Sequence, residues 1–395
     1  MIQEQDIKDF LQDKNLDIRK TKNARFFDQK ITPDVLSIVA ECIIETIKED
    51  IYFSNNDIMY SDFAKQNIPN FFNKPSIEDD NTKREYDKFF GQSLKMLSYA
   101  NILSEKKESN KNIYQIYNKE ILEYIALRDR NAYSFISIYL ELVIKQSDID
   151  NEFEKFFINN NKDSFNTLKS FFVNFIKEHT SISQDYEPKR IFTKILNPLC
   201  FKRKKLGTKM GKISNEIINY NDLLYNQPNW RDKLKPKNIT RNEWSSIIKE
   251  DIEKDSSYEY CINKAKRFVK KIHEYSEIHN LPKEDYKALH AHHIFPMNEF
   301  PEIADKPENI IAITPNQHFM RAHPNNNTKQ IDKSYQAICL ISKLDSIEKD
   351  NFYNKNNYNI QEFIDVINIG LNTNFDKNLS YESLKHNIIY EYCKV

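Results

Sequence analysis

Glycine is scarce in this chain, which has four glycines and thirteen prolines in 395 residues. Sheet-rich folds with many tight turns need glycine wherever the backbone adopts a positive φ angle. The scarcity therefore argues against such folds and favours long helices joined by loops rich in Asn and Asp. We expect a mainly helical protein of the α+β class.

The five cysteines lie far apart, sit among apolar neighbours and form no C-x-x-C pair. They are Cys42, Cys200, Cys261, Cys339 and Cys393. This pattern argues against a zinc ribbon or a disulfide scaffold, and it favours reduced, buried thiols. We therefore expect a cytoplasmic protein.

We expect neither a secretory signal nor a membrane span. The N-terminal residues MIQEQDIKDFLQDKN are polar and charged, so we expect no secretory signal. No apolar run is long enough to span a bilayer, so we expect no membrane association. With 39% hydrophobic residues the chain has enough core-forming side chains to fold, and its length predicts two or three domains.

The N-terminal part of the chain predicts three helices followed by a hairpin. Apolar residues recur at helical spacing over Ile31 to Ile47, a short helix follows Ser54, and a third covers Lys83 to Ala100. Ile102 to Tyr117 alternates around the turn residues KESNK, as a hairpin would. This order is that of a winged helix that binds duplex DNA, although a plain helical domain with a surface hairpin gives the same pattern. We interpret residues 1–120 as the DNA-recognition region.

Charge is balanced overall, with 58 basic and 58 acidic residues, but it is unevenly distributed. Residues 189–212 contain nine Lys or Arg and no acidic residue, interleaved with apolar side chains. We expect a folded basic loop that contacts DNA phosphates, rather than a merely solvated one, within a helical scaffold that covers residues 121–250. The candidate DNA-binding residues of this loop are Lys189, Arg190, Lys202, Arg203, Lys204, Lys205 and Lys209.

Histidine is concentrated between Leu289 and Thr328, where five of the nine histidines lie. Imidazole both titrates near neutral pH and binds transition metals, so this stretch is the first place to look for chemistry. His292 and His293 end a predicted strand and must point in opposite directions, so one can bind a metal while the other addresses a water. A second strand begins near Asn309, and His318 follows in the first turn of a predicted helix.

Three blocks of this stretch resemble a known motif. The pattern H-H-I-F-P, then N-I-x-x-I, then Q-H-x-x-R is similar to the HNH motif of ββα-metal nucleases, and it covers Ala291 to Arg321. The resemblance implies a small ββα nuclease domain with C-terminal helices within residues 251–395. Segments such as RFFDQKITPDVLSIVAECI and RIFTKILNPL are also similar to bacterial type II restriction endonucleases with a C-terminal HNH domain.

The resemblance assigns a role to each matching residue. His293 matches the general base that takes a proton from water for attack on the scissile phosphate. His292 and His318 match the ligands of one divalent metal ion. Asn309 matches a residue that orients the base in some members and contacts the metal in others. Arg321 stands where a phosphate-binding Lys is common.

Two departures from the motif affect the metal. Thr314 and Gln317 stand where zinc-stapled members have cysteines, so no structural zinc is expected. Histidine replaces Asp at the first position, which makes the ligand set richer in nitrogen. We expect Mg2+ or Mn2+ in use, with Zn2+ or Ni2+ as alternatives, and we expect His290 and His323 to be bystanders.

These features together predict a sequence-specific, metal-dependent endonuclease of type II restriction type that cuts duplex DNA and leaves 5′-phosphate ends. Its expected partners are duplex DNA, a second copy of the chain on DNA, and a separately encoded DNA methyltransferase in a bacterial cytoplasm. Two alternatives stay open. One is another HNH nuclease, such as a nicking, homing or anti-phage effector enzyme, and the other is a non-catalytic DNA-binding protein with a structural ββα-metal unit.

Overall fold

The computed structural model describes residues 2–48, 51–72, 74–79, 82–225, 256–278, 287–318, 322 and 331–394. It is 62% helical and 10% strand, with small antiparallel sheets, which confirms the mainly helical α+β expectation. No described helix is long and apolar enough to cross a membrane. The chain forms two compact units, Ile2–Asn229 and Trp230–Val395, and the predicted boundary at residue 120 falls inside the first.

The N-terminal unit is built from helices with three short antiparallel pairings. Its helices are α1 (Glu4–Gln12), α2 (Ile18–Thr21), α3 (Pro33–Thr46), α4 (Asn55–Met59), α5 (Asp62–Phe72), α6 (Lys83–Tyr99), α7 (Lys119–Leu127), α8 (Asp129–Gln146), α9 (Asp150–Asn159), α10 (Lys162–His179) and α11 (Tyr186–Arg203). Its strands are β1 (Phe53–Ser54), β2 (Leu103–Glu108), β3 (Lys111–Ile116), β4 (Leu206–Lys209) and β5 (Lys212–Ile217).

Helix α3 lies at the centre of this unit. Its first residue is Pro33, whose fixed φ angle suits the first helical turn and whose missing N–H costs nothing there. Every residue from Pro33 to Ile43 is buried, and the helix packs against α7 and α8. A helix that is apolar on most sides is stable only when other elements surround it. The helix predicted over Ile31 to Ile47 is therefore confirmed, and it is the core of the unit.

The predicted hairpin is confirmed as β2 and β3, which pair in antiparallel register from Leu103 opposite Ile116. Strand β1 pairs with the outer edge of β3, so the sheet order is β1-β3-β2. Ser109 and Asn110 form the turn with φ angles of 45° and 68°. Positive φ at both central residues is the geometry that matches the twist of a two-residue hairpin. The winged helix itself stays a prediction.

The basic segment is not the loop that we predicted. Residues 189–203 belong to α11, and the residues after Lys204 form the β4–β5 hairpin. The apolar residues that we expected only to help the segment fold recur at helical spacing, and Ile191, Phe192 and Ile195 are fully buried in α11. Lys204 ends the helix in a left-handed conformation, with φ 53°. Burial of one helix face decided the structure, and Lys189, Arg190 and Lys202 of the helix are exposed.

Three of the five cysteines are free and buried, as predicted, namely Cys42, Cys200 and Cys339. Cys261 is only partly buried, and Cys393 is exposed near the end of the last helix. The prediction that all five are buried is therefore wrong for these two. Apolar neighbours in sequence do not bury a residue when the helix presents it on its solvent face.

A network around Glu85 ties distant parts of the N-terminal unit together. Its Oε1 accepts hydrogen bonds from Lys30 Nζ, from Tyr225 OH at 2.6 Å and from Lys74 Nζ at 3.1 Å. The Tyr225 N–H in turn donates to the buried Asp34 carboxylate at 3.1 Å. Burial acts to raise the pKa of Glu85, but the hydrogen bonds and the lysine charges outweigh it and lower the pKa to about 2.

The C-terminal unit contains two strands and five helices among its described residues. They are α12 (Ser256–Ile272), β6 (His290–His293), β7 (Ile310–Ile313), α13 (Pro315–Gln317), α14 (Lys333–Phe352), α15 (Ile360–Leu371) and α16 (Tyr381–Cys393). Helix α12 packs against both strands. Apolar spacing predicts three C-terminal helices, over about Lys329 to Ile347, Ile360 to Leu371 and Tyr381 to Tyr392. All three are confirmed, although the first begins at Lys333.

Helix α12 ends at Ile272, although the sequence pattern predicts it to continue to His279. The chain after it runs beside β7, where the Glu277 N–H donates to the Ala312 carbonyl at 2.9 Å. The Glu277 carboxylate accepts from the Ala312 N–H at 2.8 Å and from Lys343 Nζ at 3.1 Å. Glu277 and Lys343 are both buried. The Glu277 N–H therefore has a partner on β7. If α12 continued to His279, this N–H would bond instead to a carbonyl within the helix.

The Glu85 network predicts a specific acid sensitivity. A carboxylate whose folded-state pKa is depressed stabilises the fold above its unfolded pKa of 4.5, and this contribution is lost as the pH falls toward 2. In Glu85→Gln we expect a loss on the order of 1 kcal/mol at pH 7, because water screens this partly exposed group. Denaturant unfolding at several pH values should give a flatter curve for Glu85→Gln than for the wild type between pH 4.5 and 2. The exposed Glu178→Gln is the control, and equal curves for wild type and Glu85→Gln would refute the role of the network.

We expect the substitution of glycine by alanine to have opposite effects on stability at two helical positions, Gly370 and Gly91. A Cβ at Gly370 would lie 2.3 Å from the Phe295 ring, whereas a Cβ at Gly91 would meet only Asn55 Nδ2 at 3.8 Å. Gly370→Ala should therefore destabilise the protein by about 1–3 kcal/mol through overpacking. Gly91→Ala should stabilise it by about 0.4–1 kcal/mol, because alanine reduces the entropy of the unfolded chain. Chemical denaturation of both variants checks the pair, and a stabilising Gly370→Ala would contradict the packing.

Candidate active site

The histidine stretch forms an antiparallel pair of short strands. In β6 the sequence is His-Ala-His-His, and His290 lies opposite Ile313 while His293 lies opposite Ile310. All four residues of β7 are buried, which anchors β6 against the core of the unit. Because side chains alternate along a strand, His290 and His292 share one face and His293 lies on the other.

His318 joins the first of these two faces. Thr314 caps the turn before it, and its Oγ1 accepts from the Gln317 N–H at 3.2 Å. The His318 ring stacks on His290 with centroids 4.7 Å apart, and it meets the buried His292 edge to face at 5.3 Å. The structure therefore brings the two expected metal ligands together. It also adds His290, which the sequence left as a bystander.

The environment of His290 favours the neutral form of its imidazole. Burial lowers the pKa of His290, and the positive charge of Lys270 on α12 lowers it further. Neutral imidazole is the form that binds a metal ion. Within the described residues, no group of three or more His, Cys, Asp or Glu side chains is arranged to hold a metal. His292 and His318 are thus a pair of nitrogen donors that could contribute to a site but do not form a complete cage.

His293 is held on the opposite face by the main chain. Its Nε2 lies 2.9 Å from the Ala304 carbonyl oxygen. A carbonyl can only accept, so the proton sits on Nε2, and Nδ1 keeps its lone pair. Burial, and then the charge of Lys266, lowers the pKa of His293 to about 4. The ring is therefore neutral at neutral pH, with the lone pair of Nδ1 available to accept a proton.

Asn309 acts on the loop between the strands and does not touch the histidines. It is fully buried, its Oδ1 accepts from the Phe295 N–H at 2.9 Å, and its Nδ2 donates to the Phe295 and Ile303 carbonyls at 3.1 and 3.2 Å. Ile303 precedes Ala304, whose carbonyl holds His293. Asn309 is therefore a positioning residue. Of its two expected roles, the geometry favours orientation of the base over contact with a metal.

Side chains of the C-terminal helices α14 and α16 also hydrogen bond to the loop between β6 and β7 or to each other. Gln336 on α14 is buried, and its Nε2 donates to the Ile294 carbonyl at 2.8 Å. Tyr392 on α16 donates to Gln336 Oε1 at 2.8 Å. The sequence suggested only a packing role for these helices. No local pattern identifies Gln336, because its partner lies 42 residues away in the chain.

Two lysines of α12 belong to the surroundings of the site. Lys266 and Lys270 are one helical turn apart, and their charges act on His293 and His290 respectively. The sequence has five basic residues between Lys264 and Lys271, in a predicted helix before the histidines, but we did not include Lys266 or Lys270 among the site residues. Their spacing of four residues, which puts both on one helix face, was the signal that could have identified them.

Arg321, the expected phosphate ligand, and His323 lie outside the described residues. The remaining basic candidates belong to the N-terminal unit, and four of them have partners there. Lys189 pairs with Asp185 at 3.0 Å, Lys202 pairs with Glu141 at 2.9 Å, Arg203 pairs with Glu141 and Glu154 at 3.2 and 3.0 Å, and the Arg190 guanidinium lies over the Tyr186 ring. Lys204, Lys205 and Lys209 show no ion pair with a described carboxylate, so they are the better candidates for phosphates.

The three hydrogen bonds of the Asn309 side chain predict an effect both on the free energy of unfolding and on the tautomer of His293. Asn309→Ala leaves buried main-chain groups without partners and should lower the free energy of unfolding by about 2–4 kcal/mol. It should also release His293 from its single tautomer, which 15N NMR of the imidazole rings detects. The exposed Asn174→Ala should change neither quantity. An Asn309→Ala protein of wild-type stability and with an unchanged His293 spectrum would refute the positioning role.

Comparison with known proteins identifies no relative of this chain. No family model matches the chain, and no curated protein and no solved structure matches it either. The functional inference therefore rests on the residues of the β6–β7 pair and on their contacts.

Proposed function

We propose that this protein is a metal-dependent endonuclease that acts on duplex DNA. One observation carries the proposal. The adjacent residues His292 and His293 of β6 serve different purposes. The Ala304 carbonyl fixes His293 as a neutral proton acceptor, and His292 forms a pair of imidazoles with His318. Hydrolysis of a phosphodiester needs both a base for water and a positive centre for the phosphate.

The proton acceptor has a defined place in the proposed reaction. Nδ1 of His293 takes a proton from a water molecule, and the oxygen of that water forms a bond to phosphorus. The bond between phosphorus and the 3′ oxygen then breaks and the 3′ oxygen takes up a proton from solvent, which leaves a 5′-phosphate and a 3′-hydroxyl. The Ala304 carbonyl stabilises the imidazolium that forms, because it accepts a hydrogen bond from the Nε2–H of the ring.

His292 and His318 would hold one divalent cation, which supplies positive charge to the phosphate and to the departing 3′ oxygen. Two nitrogen donors fit Mn2+, Zn2+ or Ni2+ readily, whereas Mg2+ prefers oxygen ligands. We propose Mg2+ or Mn2+ as the working ion, with Zn2+ or Ni2+ as alternatives. Lys266 and Lys270, on the helix beside β6, are additional candidates for contact with the phosphate backbone.

Features of the N-terminal unit support DNA recognition as its role. Helices α3 to α6 followed by the β2–β3 hairpin, with β1 added to the sheet, fit the winged-helix order. The β4–β5 hairpin adds Lys209 and follows directly after Lys204 and Lys205. A reading region joined to a cutting unit is what a site-specific enzyme of restriction type requires. We further propose that two copies act together on DNA, since one centre cuts one strand at a time, and that a separate methyltransferase protects the host sites.

The proposed base predicts a loss of cleavage without a loss of binding. Unmethylated plasmid and phage DNA are incubated with the protein in Mg2+, Mn2+, Ni2+ or Zn2+, alongside His293→Ala and the exposed His386→Ala. Removal of the general base should slow cleavage by about 10²–10⁴-fold, whereas gel-shift affinity should stay at the wild-type level. His386→Ala should cleave as the wild type does.

The pattern of products separates the alternatives. Discrete fragments would support a site-specific enzyme, and a smear would point to an unspecific nuclease. DNA binding without cleavage in any of the four metals would leave a non-catalytic DNA-binding protein. Wild-type cleavage by His293→Ala would refute the role of this residue.

A further inference from the structure

The β4–β5 hairpin ends in a turn whose residues are unusual for its geometry. Lys209 and Lys212 pair across the end of the hairpin, and Met210 and Gly211 form the turn with φ angles of 52° and 77°. Both central residues of this two-residue turn are in the left-handed region, which favours Asn, Asp and Gly. Gly211 meets this preference, and Met210 does not.

Met210 stands out among the described residues with positive φ. Eleven of them are not glycine, six of these are Asn, and Met210 is the only apolar one. The β2–β3 hairpin has the same kind of turn with Ser109 and Asn110. Met210 is also 97% exposed, the highest value among the exposed large apolar side chains that the structure describes.

Neither property of Met210 helps the protein to fold. An isolated exposed apolar side chain is ordinary on a protein surface. In the left-handed region, however, an L-residue without a local side-chain hydrogen bond is strained, and Met210 recovers none of that cost by burial. Strain without a benefit to the fold points to a function of the tip.

The rest of the hairpin is held rigidly, so the tip is presented in a fixed position. Asn160 accepts from the Leu206 N–H at 2.9 Å and donates to the Leu206 carbonyl at 3.0 Å. Asn197 does the same for Thr208, at 2.8 and 3.0 Å. These side chains occupy the outer edge of β4, where another strand would otherwise pair. The hairpin is therefore built to project and not to extend a sheet.

Positive charge surrounds the tip. Lys209 and Lys212 are exposed on either side of it, and Lys169 on α10 donates from Nζ to the Gly211 carbonyl at 2.6 Å. Within the described part of the chain, none of these three lysines forms an ion pair with a carboxylate. An apolar apex between unpaired cations is complementary to a nucleic-acid groove, where phosphates line the walls and base edges form the floor.

We propose that the β4–β5 hairpin enters the minor groove of duplex DNA and inserts Met210 as a wedge that partly unstacks a base step. Lys209, Lys212 and Lys169 contact the flanking phosphates. Methionine carries no hydrogen-bond donor and only a weak acceptor, so it reads no base directly and instead selects steps that unstack easily. This inference rests on the proposed DNA-binding function, and it names the segment that deforms the DNA.

The test compares Met210→Asn with Met210→Leu in the full-length protein. Asn suits the left-handed turn, so Met210→Asn should keep or raise the melting temperature, and loss of folding is not the explanation for any defect. Relaxed plasmid is treated with a metal-independent topoisomerase in EDTA, which prevents cleavage, with and without each protein. A wedge unwinds the DNA that it unstacks, so the wild type and Met210→Leu should lower the linking number of the purified plasmid.

Met210→Asn should leave the linking number unchanged and should weaken gel-shift affinity for a linear duplex by about five- to tenfold. The slope of affinity against salt should stay at the wild-type value in Met210→Asn and should flatten when Lys209 and Lys212 are replaced by Ala. Binding by the wild type without a change in linking number, or an equal change with Met210→Asn, would overturn the wedge and leave DNA binding intact. No binding by the wild type would overturn both the wedge and the DNA-binding function.

Discussion

The side chain of Asn309 makes three hydrogen bonds to the main chain of the loop between β6 and β7, and the candidate site depends on them. The two ends of this loop are buried, at Ile294 and Phe295 and at Ile303 and Ala304, so their peptide groups must find partners other than water. Asn309 does this for Phe295 and Ile303, and Gln336 does it for Ile294. The loop thereby presents the Ala304 carbonyl to His293, which sets the tautomer of the ring. The buried Asn309 amide therefore holds the loop whose Ala304 carbonyl fixes the tautomer of His293.

Charge has different uses in the two units. In the C-terminal unit, Glu277 and Lys343 form a buried ion pair that also binds the main chain of β7. Removing one partner of such a pair costs far more than the pair contributes, so it acts mainly as a constraint on how the elements meet. In the N-terminal unit, three residues of the basic segment pair with nearby carboxylates, namely Lys189, Lys202 and Arg203. Lys209 and Lys212 at the hairpin form no ion pair with a described carboxylate, so a protein with zero net charge still has local positive charge there.

Local patterns in the sequence were sufficient for most helices but not for the basic segment. Helix α3 could be predicted because Pro33 marks its start and its apolar residues recur at helical spacing. The 189–212 segment carried the same kind of apolar spacing, but its charge density suggested a loop. Charged side chains tolerate a helix whenever they lie on its exposed face, so composition was a poor guide there. The end of α12 at Ile272 could not be predicted either, because pairing of Glu277 with β7 decides it.

For the candidate site, the sequence by itself determined which residues are available and how they are spaced. It predicted that His292 and His293 diverge, since alternation is a property of any strand, and it placed His318 in the first turn of the helix that follows Pro315. Only the tertiary structure decided that His290 stacks on His318, that Asn309 binds the loop, and that α12 brings Lys266 and Lys270 to the histidines. These contacts join residues that are distant in the chain. Their formation depends on how helices and strands pack, and periodicity within one element carries no information about that.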